Sequence, residues 1–371
     1  MFDYLIVGAG FSGSVLAERI ACQLNKTVLL VDRRDHIGGN AYDGYNDAGI
    51  LYHKYGPHWF HTNDKKVFDH LSRFTDWRFH YHRVRSSVDG LLVPFPVNRD
   101  TLNILYGLKL ESPEGVQSFY DQVKKEIKNP ANSEEMVISQ IGVPLYEKFF
   151  KGYTIKQWDI QPKDLAASVT ARIPVRTNGD DRYFTDTYQG VPKNGYTELF
   201  KKMLAHSNIS VLLQTDYRKI INEVSFRKMI YTGPIDSFFD YRFGKLPYRS
   251  LRFEHETLNQ EKYQDYQQIN YPNEYDFTRI VEWKHATGQK SAQTTITREY
   301  SLAAEGDQEK YYPIPRSDNH DLFNKYKHEA DKLDEVLFCG RLADYKYYNM
   351  DQVIARALML FDQKIKLSPA L

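Results

Sequence analysis

Cysteine is almost missing from this chain of 371 residues: only Cys22 and Cys339 occur, which excludes a disulfide framework and makes a reducing cytoplasm the expected setting. No apolar run approaches the roughly eighteen residues needed to span a bilayer, so no membrane insertion is expected. The N-terminus enters a strand pattern directly, and no signal peptide is expected. A dominant charge is missing too, because 49 Lys and Arg face 48 Asp and Glu. No global field then draws nucleic acid or a membrane surface, and an anionic ligand has to be met by a local cluster. Internal repeats and low-complexity tracts are absent. What is plentiful is aromatic: 28 Tyr and 21 Phe, and Tyr suits a site that stacks rings while donating hydrogen bonds. The length, with 42% hydrophobic residues, suffices for a large core divided among two or three subdomains.

The stretch "YLIVGAGFSGSVLAERIA" reads as a buried strand, a glycine turn and a helix: Leu5, Ile6 and Val7 run together, then Val15, Leu16 and Ile20 recur at helical spacing. A second strand, "TVLLVD", follows at the distance expected of a βαβ unit. Gly8 allows a tight turn, Gly10 lets backbone approach a pyrophosphate, and Gly13 lets helix pack on strand. A phosphate would sit at the helix N-terminus, beside Phe11 and Ser12. Asp32 ends the second strand 19 residues after Gly13, placed to accept hydrogen bonds from an adenosine ribose.

Directly after comes "RRDHIGGNAYD". Its basic pair, Arg33 and Arg34, precedes Gly38 and Gly39, which bring further backbone against an extended cofactor, and Asn40, Ala41 and Tyr42 follow. The segment resembles that of amine-oxidase-like flavoproteins, in which it runs beside the FAD diphosphate, and this resemblance favours FAD over NAD. Residues 100–150 carry helix-like apolar spacing broken at Pro113 and Pro130. Beyond them, "FTRIVEWKH" and "TTITREY" read as strands of a mostly antiparallel sheet, "EVLFCGRLADY" as a buried strand, and "DQVIARALMLF" as a closing helix.

Arg and Tyr recur together in "KGYTIKQW" (expected to be a surface loop), "ARIPVRTNGDDRYFTDTYQG", "YRSLRFE", "KYYPIPR" and "GRLADYKYYNMDQV". Taken singly, each arginine also fits a structural salt bridge. Together they are what a second anionic ligand with an aromatic base requires: guanidinium forks for phosphate oxygens, phenols for further bonds, rings for stacking. Two such contacts at about 1.5–3 kcal/mol each would hold a nucleotide diphosphate without a metal.

At these residues the chain resembles the bacterial UDP-galactopyranose mutases: "YGPHWFHT", "RIPVR", "YFTDTYQG", "YRSL", "YYP" and "GRLADYKYY" match the family pattern in order. The resemblance implies an α/β fold: a Rossmann-like FAD-binding domain, a helical domain and an antiparallel β-sheet domain, assembled as a homodimer. It divides the chain into a first FAD-binding part (1–75), a mainly helical part (76–155) and a mobile substrate loop with sheet (156–205). A second FAD-binding part (206–245), an antiparallel substrate sheet (246–318) and a C-terminal FAD-binding part (319–371) complete it. The implied reaction interconverts the pyranose and furanose forms of a nucleotide-diphosphate sugar, foremost UDP-galactopyranose, through a covalent flavin N5–sugar adduct on reduced FAD. Alternative sugars are dTDP-fucopyranose and UDP-N-acetylgalactosamine.

The resemblance also assigns roles. Arg172 and Arg279 grip the diphosphate, and His58 stands close to the flavin. Tyr183, Tyr312 and Tyr347 contact phosphate, Arg249 is a site arginine, Tyr153 and Trp158 line the uridine side, and Asn270 is a polar contact. Arg341, Met350 and Asp351 are expected at FAD, with the glycine-loop residues, Asp32, Arg33, Gly39, Asn40 and Ala41.

The histidine pair in "YGPHWFHTND" raises the question of a metal. Two histidines three apart, with no cysteine or acid cluster beside them, make a poor ligand set, and no metal is expected. His58 suits acid–base work or the lining of the pocket, and His61 a structural role. Trp59 departs from the galactose enzymes, which usually have a smaller aliphatic residue there. Facing the sugar, it would suit a 6-deoxy sugar; facing the core, it would leave the sugar undetermined. Asn349, in place of a usual carboxylate, and "HYHRVRSSVDG" depart as well. Two other classes share parts of the pattern: an amine-oxidase-like oxidase has the FAD domain without the Arg-Tyr segments, and a non-catalytic nucleotide-sugar binder needs no flavin.

Overall fold

The computed structural model describes residues 1–306 and 308–367. Five parallel strands form one sheet in the order Ile209–Leu212, Val28–Val31, Phe2–Val7, Phe226–Tyr231, Val336–Phe338. A parallel sheet covered on both faces needs continuous apolar strands. The first strand meets that need, with Tyr4 and Ile6 in the core on one face and Leu5 in the core on the other. Helices Phe11–Leu24, Tyr196–Met203 and Met350–Leu360 cover the first face with Val15, Leu16, Phe200, Ile354 and Ala357. The carboxyl ends of these strands lead into Gly8, Asp32, Thr232 and Gly340, where ligands of open α/β sheets bind.

The second sheet has seven strands in the order Tyr312–Pro313, Tyr248–Leu258, Thr294–Ala303, Arg279–Glu282, Gln268–Asn270, Val84–Val88, Leu91–Phe95. It is antiparallel except where Gln268–Asn270 runs parallel to Val84–Val88. The segment 76–155, expected to be mainly helical, therefore opens with strands Trp77–Phe79, Val84–Val88 and Leu91–Phe95. Its hairpin turns through Asp89 and Gly90, with φ of 52° and 77°, the left-handed pair that a tight hairpin demands. Helices Arg99–Tyr106, Pro113–Val123 and Ser133–Leu145 follow, begun by side-chain caps from Asn98, Ser112 and Asn132. They pack Leu102, Val116, Tyr120 and Ile141 against Val84, Val93 and Phe95 of the hairpin. A small third sheet joins Phe60–Thr62, Tyr188–Pro192 and Trp77–Phe79. Among the described residues no helix is long and apolar enough to cross a membrane.

Candidate active site

The first cavity, about 440 Å³, runs along the carboxyl ends of the parallel strands. Gly8, with φ +106°, turns the chain, and a Cβ on Gly13 would fall 1.9 Å from the Gly8 carbonyl oxygen. Gly13 thus packs beneath the loop, while Gly8, Gly10, Phe11 and Ser12 line the cavity. Gly10 caps the helix without any side-chain hydrogen bond, so the first-turn N–H groups face an anion site. Across from it, a Cβ on Gly39 would come within 2.9 Å of the Gly10 Cα, and one on Gly340 within 2.7 Å of the Ser12 hydroxyl. Backbone on three sides and an uncapped helix fit the pyrophosphate of a dinucleotide.

Asp32 is pinned by backbone: its carboxylate accepts from the N–H of Ala9 at 2.8 Å and of Arg34 at 2.9 Å, which aims it at the cavity it lines. Arg33 and Arg34 both line this cavity. Arg33 is largely exposed and paired with Glu309, whereas Arg34 is enclosed, donating to Asn40 and Glu309 at 2.8 Å each and lying 4.4 Å above the Tyr55 ring. Asn40, Ala41, Arg341 and Met350 line the same wall, as does His58. Asp351 does not; it accepts from the Thr62 hydroxyl at 3.1 Å, and its other oxygen is buried without a partner among the described residues.

The His58 ring donates from Nδ1 to the Gly56 carbonyl at 2.8 Å. A carbonyl can only accept, so Nε2 keeps its lone pair. Burial, opposed by that bond and reinforced by Arg341 and Arg279, holds the imidazole down to about 4, and it is neutral near pH 7. His61 turns elsewhere, stacked on Phe184 at 3.6 Å and bonded to Asp186 at 2.9 Å. Among the described residues no cluster of three or more His, Cys, Asp or Glu could hold a metal.

A second, narrower cavity of about 90 Å³ is lined by Tyr153, Trp158, Arg172, Tyr183, Asn270, Arg279 and Tyr347. Seven residues drawn from distant segments of the sequence meet here. Arg279 makes a two-pronged pair with Glu299 at 2.8 and 3.0 Å. Arg172 donates to the Tyr347 hydroxyl at 3.0 Å and covers its ring at 4.4 Å. Neither arginine uses all its donors. Burial pushes the phenols of Tyr153 and Tyr183 up, so both remain hydrogen-bond donors. Tyr312 joins the two cavities: its ring lies 5.0 Å from that of Tyr347, and the Arg341 guanidinium sits 5.5 Å from it.

Three expectations are corrected by position. "KGYTIKQW" is not a surface loop; Gly152–Trp158 is helical, and Trp158 is buried with Leu165 and Val169. Trp59 lines neither cavity. It fills the seam between the second sheet and the pair Asp43–Tyr45 and Leu51–His53, against Trp283 at 5.8 Å and His53 at 5.4 Å. Arg249 stands behind the cavity, donating to the Gln157 carbonyl at 3.1 Å and to Ser301 at 3.2 Å.

Sequence reasoning missed Gln268, Glu299 and Glu309. Gln268 lines the second cavity, donates to Asn270 at 2.8 Å and leaves its carbonyl oxygen buried without a partner among the described residues. Its period-two spacing from Asn270 on one strand was the available signal. Glu299 and Glu309 act through strand register and loop closure, which no local pattern announces.

The fold and site define a dinucleotide-binding Rossmann-type protein with an adjoining cation- and tyrosine-lined cavity for a second, anionic ligand. Comparisons with known proteins agree: residues 6–74 match a model of the NAD(P)-binding Rossmann-like domain, and residues 148–347 match the model of UDP-galactopyranose mutase. A Klebsiella pneumoniae protein named "Probable UDP-galactopyranose mutase" is 38% identical, the alignment covering 97% of this chain and 94% of that one. An Escherichia coli dTDP-fucopyranose mutase is 35% identical over 96% of this chain and 97% of its own. A crystal structure of reduced UDP-galactopyranose mutase superimposes with a TM-score of 0.79 at 16% identity, covering 100% of this chain and 95% of its own. The chain belongs to the UDP-galactopyranose mutase family and is an isomerase.

Proposed function

We propose that the protein interconverts UDP-galactopyranose and UDP-galactofuranose on reduced FAD. The observation that carries this is the convergence of Arg172 and Arg279, with Tyr153, Tyr183 and Tyr347, on one cavity beside the dinucleotide cradle. The glycine loop, Gly39, Asn40, Ala41, Asp32, Arg341 and Met350 would hold FAD. When bound in its reduced form, FAD supplies a nucleophilic flavin nitrogen for covalent catalysis without net redox change. The chain's own groups do the rest by electrostatics and positioning. Arg172 and Arg279 neutralise the diphosphate as it leaves and returns, the phenols donate to its oxygens, and neutral His58 offers a lone pair. The same reading carries a homodimer and a cytoplasmic setting, in keeping with the two unpaired thiols.

A second reading, dTDP-fucopyranose as substrate, is favoured by the Escherichia coli relative. An amine oxidase is disfavoured by charge, because a cationic amine would be repelled by two arginines. The test is a product assay on dithionite-reduced protein, offering UDP-galactopyranose and dTDP-fucopyranose separately and resolving pyranose from furanose by chromatography. Conversion chiefly of the UDP sugar is expected. Conversion chiefly of the dTDP sugar would move the assignment to the second reading, and conversion of neither would overturn both.

A further inference from the structure

Helix Gly152–Trp158 lays Tyr153 and Trp158 along the second cavity. On its other flank it meets the segment 271–277, which joins strand Gln268–Asn270 to strand Arg279–Glu282. The approach is close enough to require glycine, since a Cβ on Gly152 would fall 2.4 Å from the Asn273 side-chain oxygen and 2.6 Å from the Pro272 carbonyl oxygen. One turn further on, the Lys156 ammonium reaches into that segment. It donates to the carbonyls of Tyr271, Glu274 and Tyr275 at 2.5, 2.7 and 3.0 Å, with the Phe277 carbonyl at 3.4 Å.

Four carbonyl dipoles converging on one point repel one another unless a cation sits among them. An ammonium has three N–H donors to distribute, and here nearly all its hydrogen bonding goes to main chain of this one segment. Tyr275 is held in the left-handed region at φ 53°, a conformation that non-glycine residues adopt only when their surroundings impose it. The two strands it joins carry Asn270 and Arg279 at the ends nearest the segment, and both line the cavity. We propose that Lys156 is a positioning residue: by gathering the 271–277 carbonyls it fixes Asn270 and Arg279 relative to the helix that carries Tyr153 and Trp158. Burial outweighs the nearby Glu274 and Asp276 and holds the ammonium down to about 8; it is charged at neutral pH.

The inference rests on the second cavity being the nucleotide site, so its test reads nucleotide binding as well as turnover. Flavin-loaded parent, Lys156→Met and Lys156→Arg proteins are titrated with UDP and dTDP by calorimetry, and kcat and KM are measured per bound flavin. Lys156→Met is expected to weaken the nucleotide that the parent binds at least tenfold and to raise KM in step, with kcat within threefold of the parent. Lys156→Arg, which restores a cation to the carbonyls, is expected within threefold on every constant. Parent-like nucleotide binding in Lys156→Met would overturn the proposal. So would failure of that variant to take up flavin, because Lys156 does not touch the dinucleotide cavity. A parent that binds nucleotide but converts no sugar would sink the mutase reading while leaving this test intact.

Discussion

Arg279 and Glu299 stand directly opposite each other on neighbouring antiparallel strands, and their side chains close a two-pronged ion pair over that register position. Arg172, across the cavity, has no carboxylate partner among the described residues; its bond is to the Tyr347 hydroxyl. The two cations that face the proposed diphosphate are therefore anchored differently, and their loss should be felt differently.

Arg279→Met leaves a buried carboxylate without its partner, which costs on the order of 3 kcal/mol in stability, and removes a diphosphate contact as well. Arg172→Met removes a diphosphate contact and its bond to the Tyr347 hydroxyl, but leaves no buried carboxylate unpaired. We expect a lowered melting temperature for the first and a nearly unchanged one for the second, with kcat/KM lowered about 10- to 100-fold in both, from about 1.5–3 kcal/mol per charged hydrogen bond. Equal melting temperatures for the two variants would contradict the unequal anchoring.

Glycines of the fingerprint also separate by consequence. At Gly10 the backbone is extended, and an added Cβ would meet nothing closer than the Gly39 Cα at 3.7 Å. Gly10→Ala should fold normally and lose flavin, since the methyl enters the cradle. Gly13→Ala drives a Cβ to 1.9 Å from the Gly8 carbonyl oxygen and should destabilise the fold itself. Flavin absorbance against circular dichroism melts separates the two; a flavin-free but equally stable Gly13→Ala would be the wrong result.

Acid should weaken the fold before the carboxylates titrate. Burial holds His58 and His70 down to about 4 and His82 to about 3, against an unfolded value near 6.5. Between those values the unfolded chain binds protons that the folded one refuses, so stability is full above pH 6.5 and falls as pH falls. The limiting slope is about 1.4 kcal/mol per pH unit for each such histidine. Denaturant melts from pH 7.5 to 4.5 should show this slope, and His70→Gln, outside both cavities, should flatten it.

Trp59 packs among Ile50, Val281 and Trp283 rather than against either cavity. Trp59→Leu is expected to cost about 2 kcal/mol in stability, as large-to-small core changes do. The ratio of UDP-galactopyranose to dTDP-fucopyranose conversion should stay within twofold of the parent. A larger change in that ratio would restore the tryptophan as a sugar-selecting wall.

The dinucleotide unit was legible because its constraints are local: strand, tight turn, helix and acid follow one another within about thirty residues. A site for a second, anionic ligand was legible in the Arg-Tyr segments, but its individual residues were assigned only through the resemblance, since Tyr153, Arg172, Asn270, Arg279 and Tyr347 come together by topology, not spacing. The Trp158 helix was mistaken for a loop because "TIKQ" is polar; those residues turn polar atoms to neighbouring main chain and to the cavity rather than to water. The strands in 76–95 were hidden by assigning the whole segment one character, although Asp89-Gly90 between alternating residues is a hairpin signal. Trp59 shows the limit of comparing one position: its size is visible in sequence, but the direction it faces depends on Trp283, far along the chain.

The parallel sheet has Phe2–Val7 at its centre and beside it a neighbour, Phe226–Tyr231, that is far away in sequence. The glycine loop is made long before Gly340, which closes over Ser12. For most of that interval the nascent chain carries half a cradle and an unpaired strand edge. Contacts so distant in sequence slow folding and leave that edge open to misassociation. The cradle for the dinucleotide is thus complete only after segments distant in sequence have come together.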